Sequence, residues 1–158
     1  MGGDPSHCSL SATVDTNILL YAANADDEAH PIARELLERL AAGPDLFYLF
    51  WPTIMGFLRI ATHPSVFPDP RSPEQAVAAI TALVERPNVR TPAEADGFWE
   101  LYRATADSQT RGNHVPDAHL AALMRQHGVT VIYTRDKDFR RYDGIDVRDP
   151  FTKWRRTS

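Results

Sequence analysis

A single cysteine, Cys8, excludes an internal disulfide and any zinc site built from several cysteines. Long hydrophobic runs are missing too. The longest wholly apolar stretches, Ile18 to Ala23 and Leu46 to Trp51, fall far short of the ~18 residues a membrane helix needs. No charged-then-apolar signal peptide opens the chain, so a cytoplasmic, soluble protein with no membrane association is expected. The six histidines lack H-E-x-x-H or similar ligand spacing and read as dispersed surface or core residues. No internal repeat, linker or low-complexity stretch is visible. Excess positive charge is absent as well: 17 Lys+Arg face 21 Asp+Glu, a formal net charge of −4. That balance argues against a nucleic-acid binder that works by bulk positive charge.

What is present is ordinary globular composition, 158 residues with 43% hydrophobic and 24% charged. One domain is the natural count, and a chain of this size can hide roughly 68–70% of its unfolded surface. The charge is unevenly spread. Residues 1–124 carry 8 basic and 16 acidic groups, whereas residues 125–158 carry 9 basic and 5 acidic groups. The tail Lys153-Trp154-Arg155-Arg156 reads either as a solvated, frayed end or as a set of phosphate contacts beside an acidic site. The expected division is an N-terminal extension over 1–10, a domain over 11–150 and a basic C-terminal tail over 151–158.

Ser11 to Val14 reads as a short buried strand, after which Ile18 to Ala23 begins a helix. Pro31 to Ala42 has Ile32, Leu36, Leu37 and Leu40 at helical spacing, with Pro31 suited to its start and Gly43 to its stop. Leu46 to Phe50 is a second strand, and Pro52 opens a helix that ends before His63-Pro64. Ser72 caps the next helix, whose stripe is Val77, Ile80, Leu83 and Val84. A short strand over Asn88 to Thr91, a helix over Ala93 to Ala106 and an apolar helix from Pro116 to Gly128 follow. Val129 to Tyr133, rich in Val and Ile, is the last strand. Strands alternating with helices predict an α/β fold, a central parallel sheet flanked by helices on both faces.

In open parallel sheets, sites form at the carboxyl ends of strands. Asp15 follows the first strand, Asp136 and Asp138 follow the last, and Asp117 sits in the first turn of the Pro116 helix. Such carboxylates suit a hard cation, magnesium or manganese. Two carboxylates about 5 Å apart repel by roughly 3 kcal/mol at an effective dielectric near 20, which a divalent ion relieves. Each acid also has an ordinary structural use. Asp117 can complement a helix dipole, Asp138 can cap a helix, and Asp15 can organise its turn. Their shared location favours a metal-dependent phosphoryl-transfer site.

Several segments are recognisable in order: Val14-Asp15-Thr16-Asn17-Ile18-Leu19-Leu20-Tyr21-Ala22, Phe57-Leu58-Arg59-Ile60-Ala61-Thr62-His63-Pro64, Gly112-Asn113 followed by Pro116-Asp117-Ala118-His119-Leu120-Ala121-Ala122-Leu123, and Thr134-Arg135-Asp136-Lys137-Asp138-Phe139. They resemble the motifs of PIN-domain nucleases, particularly the VapC toxins of bacterial toxin–antitoxin pairs, from Ala12 to about Pro150. The resemblance implies a Mg2+- or Mn2+-dependent endoribonuclease in which metal-activated water attacks phosphorus in line. It assigns Asp15, Asp117 and Asp136 as catalytic metal ligands and Asp138 as an additional acid. Thr16, Asn17 and Thr134 orient water or ligands, or serve only as turn residues. Arg135, Lys137 and Arg140 are candidate RNA contacts, with Arg141 beside them. The resemblance also implies a homodimer held inactive by a small VapB-like antitoxin, with the stripes of Ile32, Leu36, Leu37, Leu40 and of Phe57, Leu58 forming a groove or simply core.

One position departs from the family pattern: the Glu expected before Phe57-Leu58-Arg59 is Gly56. Either Asp15, Asp117, Asp136 and Asp138 suffice, or the chain is a degenerate PIN domain that binds antitoxin or RNA without cleaving. A phosphatase using Asp15 as nucleophile is disfavoured, because Asp15-Thr16-Asn17 lacks a second Asp two residues on.

Overall fold

The computed structural model describes residues 11–152; the expected extension 1–10 and residues 153–158 of the basic tail lie outside the described residues. Five short strands form its frame: β1 Ala12–Val14, β2 Phe47–Tyr48, β3 Val89–Arg90, β4 Val131–Tyr133 and β5 Asp146–Arg148. Their order is β3-β2-β1-β4-β5, with every neighbouring pair parallel. The chain steps outward from β1 to β3, then crosses back over β1 to lay down β4 and β5. The reversal of direction falls between β1 and β4, where open α/β sheets place their ligands.

Six helices connect the strands: α1 Thr16–Ala23, α2 His30–Ala42, α3 Trp51–Ala61, α4 Pro73–Val84, α5 Phe98–Thr105 and α6 His114–Gln126. Alternate strand residues point to opposite sides of the sheet. Val14, Phe47, Leu49 and Tyr133 pack with α1, α2, α3 and α4, around Ile18, Leu36, Ile54 and Phe57. Tyr48, Phe50 and Ile132 pack on the other side with α5 and α6, around Ala121, Leu123 and Met124. The sheet is therefore covered on both faces, as the alternating pattern predicts. Among the described residues no helix is long and apolar enough to cross a membrane.

Helix ends follow local chemistry. Ser72 accepts a hydrogen bond from the Gln75 backbone N–H at 3.1 Å, and the Gln75 side chain accepts the Ser72 N–H at 2.9 Å. This capping box anchors α4. Gly43 ends α2 at φ +79°, a conformation that L side chains rarely adopt.

Several elements differ from expectation. Helix α1 begins at Thr16 rather than Ile18, because Asp15 itself caps it. Helix α6 begins at His114, two residues before Pro116. Helix α5 is shorter than 93–106, because residues 93–96 are tied to α6 instead. Gln126 accepts from the Ala95 N–H at 2.8 Å and donates to the Ala95 carbonyl at 3.1 Å, while Glu94 meets His119 Nε2 at 2.6 Å. That contact holds the Glu94 carboxyl below its ordinary pKa. The fifth strand, β5, has no counterpart among the four strands expected.

The packed core also runs past residue 150. Phe151 is fully buried, edge-on to Tyr21 with ring centroids 5.4 Å apart. Truncating a buried phenylalanine typically costs about 3–5 kcal/mol. Phe151→Ala is expected to lower the unfolding free energy by that order in urea denaturation.

Candidate active site

Strand pairing brings the first acid into place. The register Ala12↔Val131, Thr13↔Ile132, Val14↔Tyr133 puts Asp15 and Thr134 at the same height, just beyond the ends of β1 and β4. The Asp15 N–H donates to the Tyr133 carbonyl at 3.0 Å, extending the ladder by one bond. Both Asp15 carboxylate oxygens are then engaged. Oδ1 accepts the Thr16 N–H at 2.7 Å, and Oδ2 accepts the Thr134 hydroxyl at 2.9 Å.

Thr134 is the hub of this corner. Its Oγ1 donates to Asp15 and accepts the Asp136 N–H at 2.9 Å, with Asn17 Nδ2 at 3.5 Å. Asp136 in turn accepts the Asp138 N–H at 2.9 Å through Oδ1 and so caps the 3₁₀ helix Lys137–Arg141. The capping role considered for Asp138 thus falls to Asp136. Buried Phe139 pins the 3₁₀ helix to the α6 side of the core.

Asp117 reaches the same corner from the first turn of α6. An α-helix N-terminus favours a carboxylate, yet the Asp117 carboxyl is pushed up to about 7. Burial is the main cause, followed by the charges of Asp136 and Asp15, a hydrogen bond shared with Asp136, and the charge of Asp138. Asp15 is raised as well: its burial outweighs the hydrogen bonds from Thr134 and Thr16, and Asp136 adds repulsion. Like charges this close resist simultaneous ionisation. Burial also raises the Tyr142 hydroxyl, with the Asp117 charge as the next cause.

The four expected acids, Asp15, Asp117, Asp136 and Asp138, therefore stand in one electrostatic neighbourhood, beside Asn17 and Thr134. The Thr16 hydroxyl turns elsewhere, to the Thr53 carbonyl at 3.4 Å; only its N–H serves Asp15. The candidate RNA contacts diverge. The Arg135 guanidinium lies over the rings of Tyr21 and Phe151, 5.5 and 4.9 Å from their centroids, while Lys137 and Arg140 are exposed. Arg140 borders a 560 Å³ hollow that it shares with Arg39 and Arg148, and none of the four acids lines it.

One residue was not expected here. His114, one helical turn before Asp117, places a ring nitrogen within 4.8 Å of carboxylate oxygens of both Asp117 and Asp138. Sequence spacing could have found it, since residues three apart share a helix face, but only if α6 were started before Pro116. The donor set, carboxylate oxygens with one imidazole, fits a divalent cation. So does the presence of two shielded polar atoms without hydrogen-bond partners, Asn17 Oδ1 and His114 Nδ1. Gly56 lies on α3 against the Thr16 side chain, and a Cβ added there would stand 3.0 Å from Thr16 Oγ1.

A parallel sheet of this order, with acids gathered where β1 meets β4, makes an α/β domain with a polar site at its switch point, and the PIN domain family model matches residues 12–145. The chain is 48% identical over 144 residues to Ribonuclease VapC48 of Mycobacterium tuberculosis, covering 90% of this chain and 99% of that protein. It is 36% identical over 138 residues to VapC ribonuclease Mb2897 of Mycobacterium bovis, covering 87% and 93%. The chain belongs to the PIN-domain family, in its VapC ribonuclease branch. The fold resembles the crystal structure of the M. tuberculosis VapC20 toxin, described as sarcin-ricin loop cleaving, at TM-score 0.64 and 23% identity over 87% of this chain and 99% of that one. It also resembles VapBC-1 of nontypeable Haemophilus influenzae at TM-score 0.62, 23% identity, and 90% and 99% coverage.

The raised Asp117 carboxyl has a consequence for stability. Between the ordinary value of 3.8 and about 7, the folded protein keeps a proton on Asp117 that the unfolded chain has released. Raising the pH through that window therefore destabilises the metal-free fold. Metal-free wild type is expected to lose more Tm than Asp117→Asn between about pH 5 and pH 8. Because a metal takes the deprotonated carboxylate, a saturating divalent ion should raise Tm more at the higher pH. Differential scanning fluorimetry across a pH series reads both effects.

Proposed function

We propose that this chain is a metal-dependent endoribonuclease and the toxin of a toxin–antitoxin pair, hydrolysing RNA phosphodiester bonds. The observation that carries the reading is the convergence of Asp15, Asp117, Asp136 and Asp138 beyond β1 and β4, with Asp117 pushed up to about 7. Asp15, Asp117 and Asp136 would hold Mg2+ or Mn2+, and Asp138 would add a further carboxylate. When bound, such an ion lowers the pKa of its water and balances charge on a phosphoryl group. The chain's own residues prepare the corner. The Thr134 hydroxyl and Thr16 N–H fix the Asp15 carboxylate, and the Asp138 N–H fixes Asp136. Asn17 orients Thr134 from α1. Exposed Lys137 and Arg140, with Arg135, would meet RNA phosphates next to the acids.

Membership of the VapC branch, and the likeness to structures of VapBC complexes, support a cognate VapB-like antitoxin as partner. A groove of about 410 Å³ between α2 and α4, bordered by Leu19, Leu37, Phe57, Ile80 and Leu83, has the apolar lining that an antitoxin helix needs. The active species would be a homodimer in the cytoplasm, where RNA and antitoxin meet it.

A second reading has its own observation. Gly56 offers no carboxylate, and Thr16 crowds the space a side chain there would enter. A degenerate domain that binds antitoxin or RNA without cleaving would look like this at position 56. Purified protein shown free of antitoxin, mixed with total RNA and Mg2+ or Mn2+, separates the two. Discrete cuts are expected, abolished by EDTA and reduced about a hundredfold or more in Asp15→Asn and Asp117→Asn, as loss of a ligand demands. RNA left intact with both metals would establish the binding-only reading. A phosphoaspartate on Asp15 would point instead to a phosphatase.

A further inference from the structure

The acidic corner has a donor beyond its four carboxylates. On the α6 side, His114 brings a nitrogen that the four-acid set does not count. Nδ1 of His114 is shielded from solvent and has no hydrogen-bond partner among the described residues. The nearest anion recorded for it, Asp138 Oδ2, lies 3.9 Å away, beyond hydrogen-bonding distance. Buried polar nitrogens are rarely left unpaired, and such an atom calls for a specific cause.

Its neighbours suggest that cause. The His114 ring nitrogen and one carboxylate oxygen each from Asp117 and Asp138 lie within 4.8 Å of one another. His114 and Asp117 sit three residues apart on α6, so the helix holds both on one face without help from a loop. Asp138 comes from the 3₁₀ helix that Asp136 caps and Phe139 anchors. Three donors from two rigid elements, one of them a ring nitrogen, make a mixed oxygen and nitrogen set. Mg2+ favours carboxylate and water oxygens, whereas imidazole is accepted more readily along the series that begins with Mn2+.

We propose that His114, with Asp117 and Asp138, supplies a nitrogen ligand to a divalent ion of this corner, and that the site prefers Mn2+ to Mg2+ as a result. This rests on the metal-dependent reading above. To bind the ion through Nδ1, the ring would be neutral with its proton on Nε2. The nitrogen adds affinity without adding negative charge, which matters where Asp15 and Asp117 already repel their neighbours.

Full-length protein loaded with Mn2+ and examined by pulsed electron paramagnetic resonance tests the assignment directly. The expected result is strong 14N modulation from a directly bonded imidazole, converting to the 15N pattern when histidine is 15N-labelled. His114→Ala should abolish it and weaken Mn2+ binding roughly 10- to 100-fold by calorimetry, with a smaller change for Mg2+. His119→Ala, outside the cluster, should leave the modulation intact. Mn2+ bound to wild type without nitrogen coupling, or coupling that survives His114→Ala, overturns the proposal while leaving the metal site standing. Absence of Mn2+ binding in wild type overturns both. If His114→Ala fails to fold, His114→Gln takes its place, with the same loss of 14N modulation expected and survival of the modulation overturning the assignment.

Discussion

The parallel pairing of β1 with β4 is the constraint on which the rest of the site depends. A slip of one residue would turn every side chain of the strand to the opposite face. It would also part Asp15 from Thr134, whose hydroxyl is, among the described residues, the only side-chain donor to the Asp15 carboxylate. The register is held from both faces. Val14 and Tyr133 belong to the core under α1 to α4, and Ile132 belongs to the core under α5 and α6. Burial energy spread over two layers thus fixes a single height difference between two loops. The crossing from β3 back over β1 does the rest, because it delivers the Asp136 loop beside the Asp15 loop.

Holding acids together in this way costs electrostatic energy, and the fold offsets part of it with hydrogen bonds. Backbone N–H groups of Thr16 and Asp138 and the hydroxyl of Thr134 stabilise Asp15 and Asp136 as anions. Among the described residues Asp117 has no comparable donor, and it is the acid that burial and its neighbours push furthest toward the protonated form. The corner is therefore graded rather than uniform. Two carboxylates are fixed by short hydrogen bonds, and a third is poised to exchange a proton for a cation.

Much of this was legible in the chain itself, and the exceptions have physical reasons. Leu36, Leu37 and Leu40 at helical spacing, the Ser72 cap, and the Val-Ile run before Tyr133 announce α2, α4 and β4 through local preference alone. Asp15, Asp117 and Asp136 could be picked out because each sits at the end of such an element. Strand β5 could not, since Asp146 and Arg148 are exposed and only Val147 faces the core. Residues 93–96 look helical by composition, yet the side chains of Gln126 and His119 hold them in an irregular path that no local rule anticipates. His114 was hidden for a related reason. Its place beside Asp117 depends on a helix that begins before a proline, and its neighbour Asp138 is distant in sequence.

The outer strands carry a further implication. β3 is two residues long, and β5 is three, with Arg148 folded back onto Asp146 at 2.8 Å. Short, charged borders of this kind give an incoming strand little to extend, which guards a sheet against open-ended growth between molecules. Assembly by edge-to-edge sheet extension is thereby discouraged, and the helical flanks are left as the broad surfaces on which another chain can settle. A molecule built this way can be held in check by a partner that covers a helix groove, without its sheet ever becoming part of the seam.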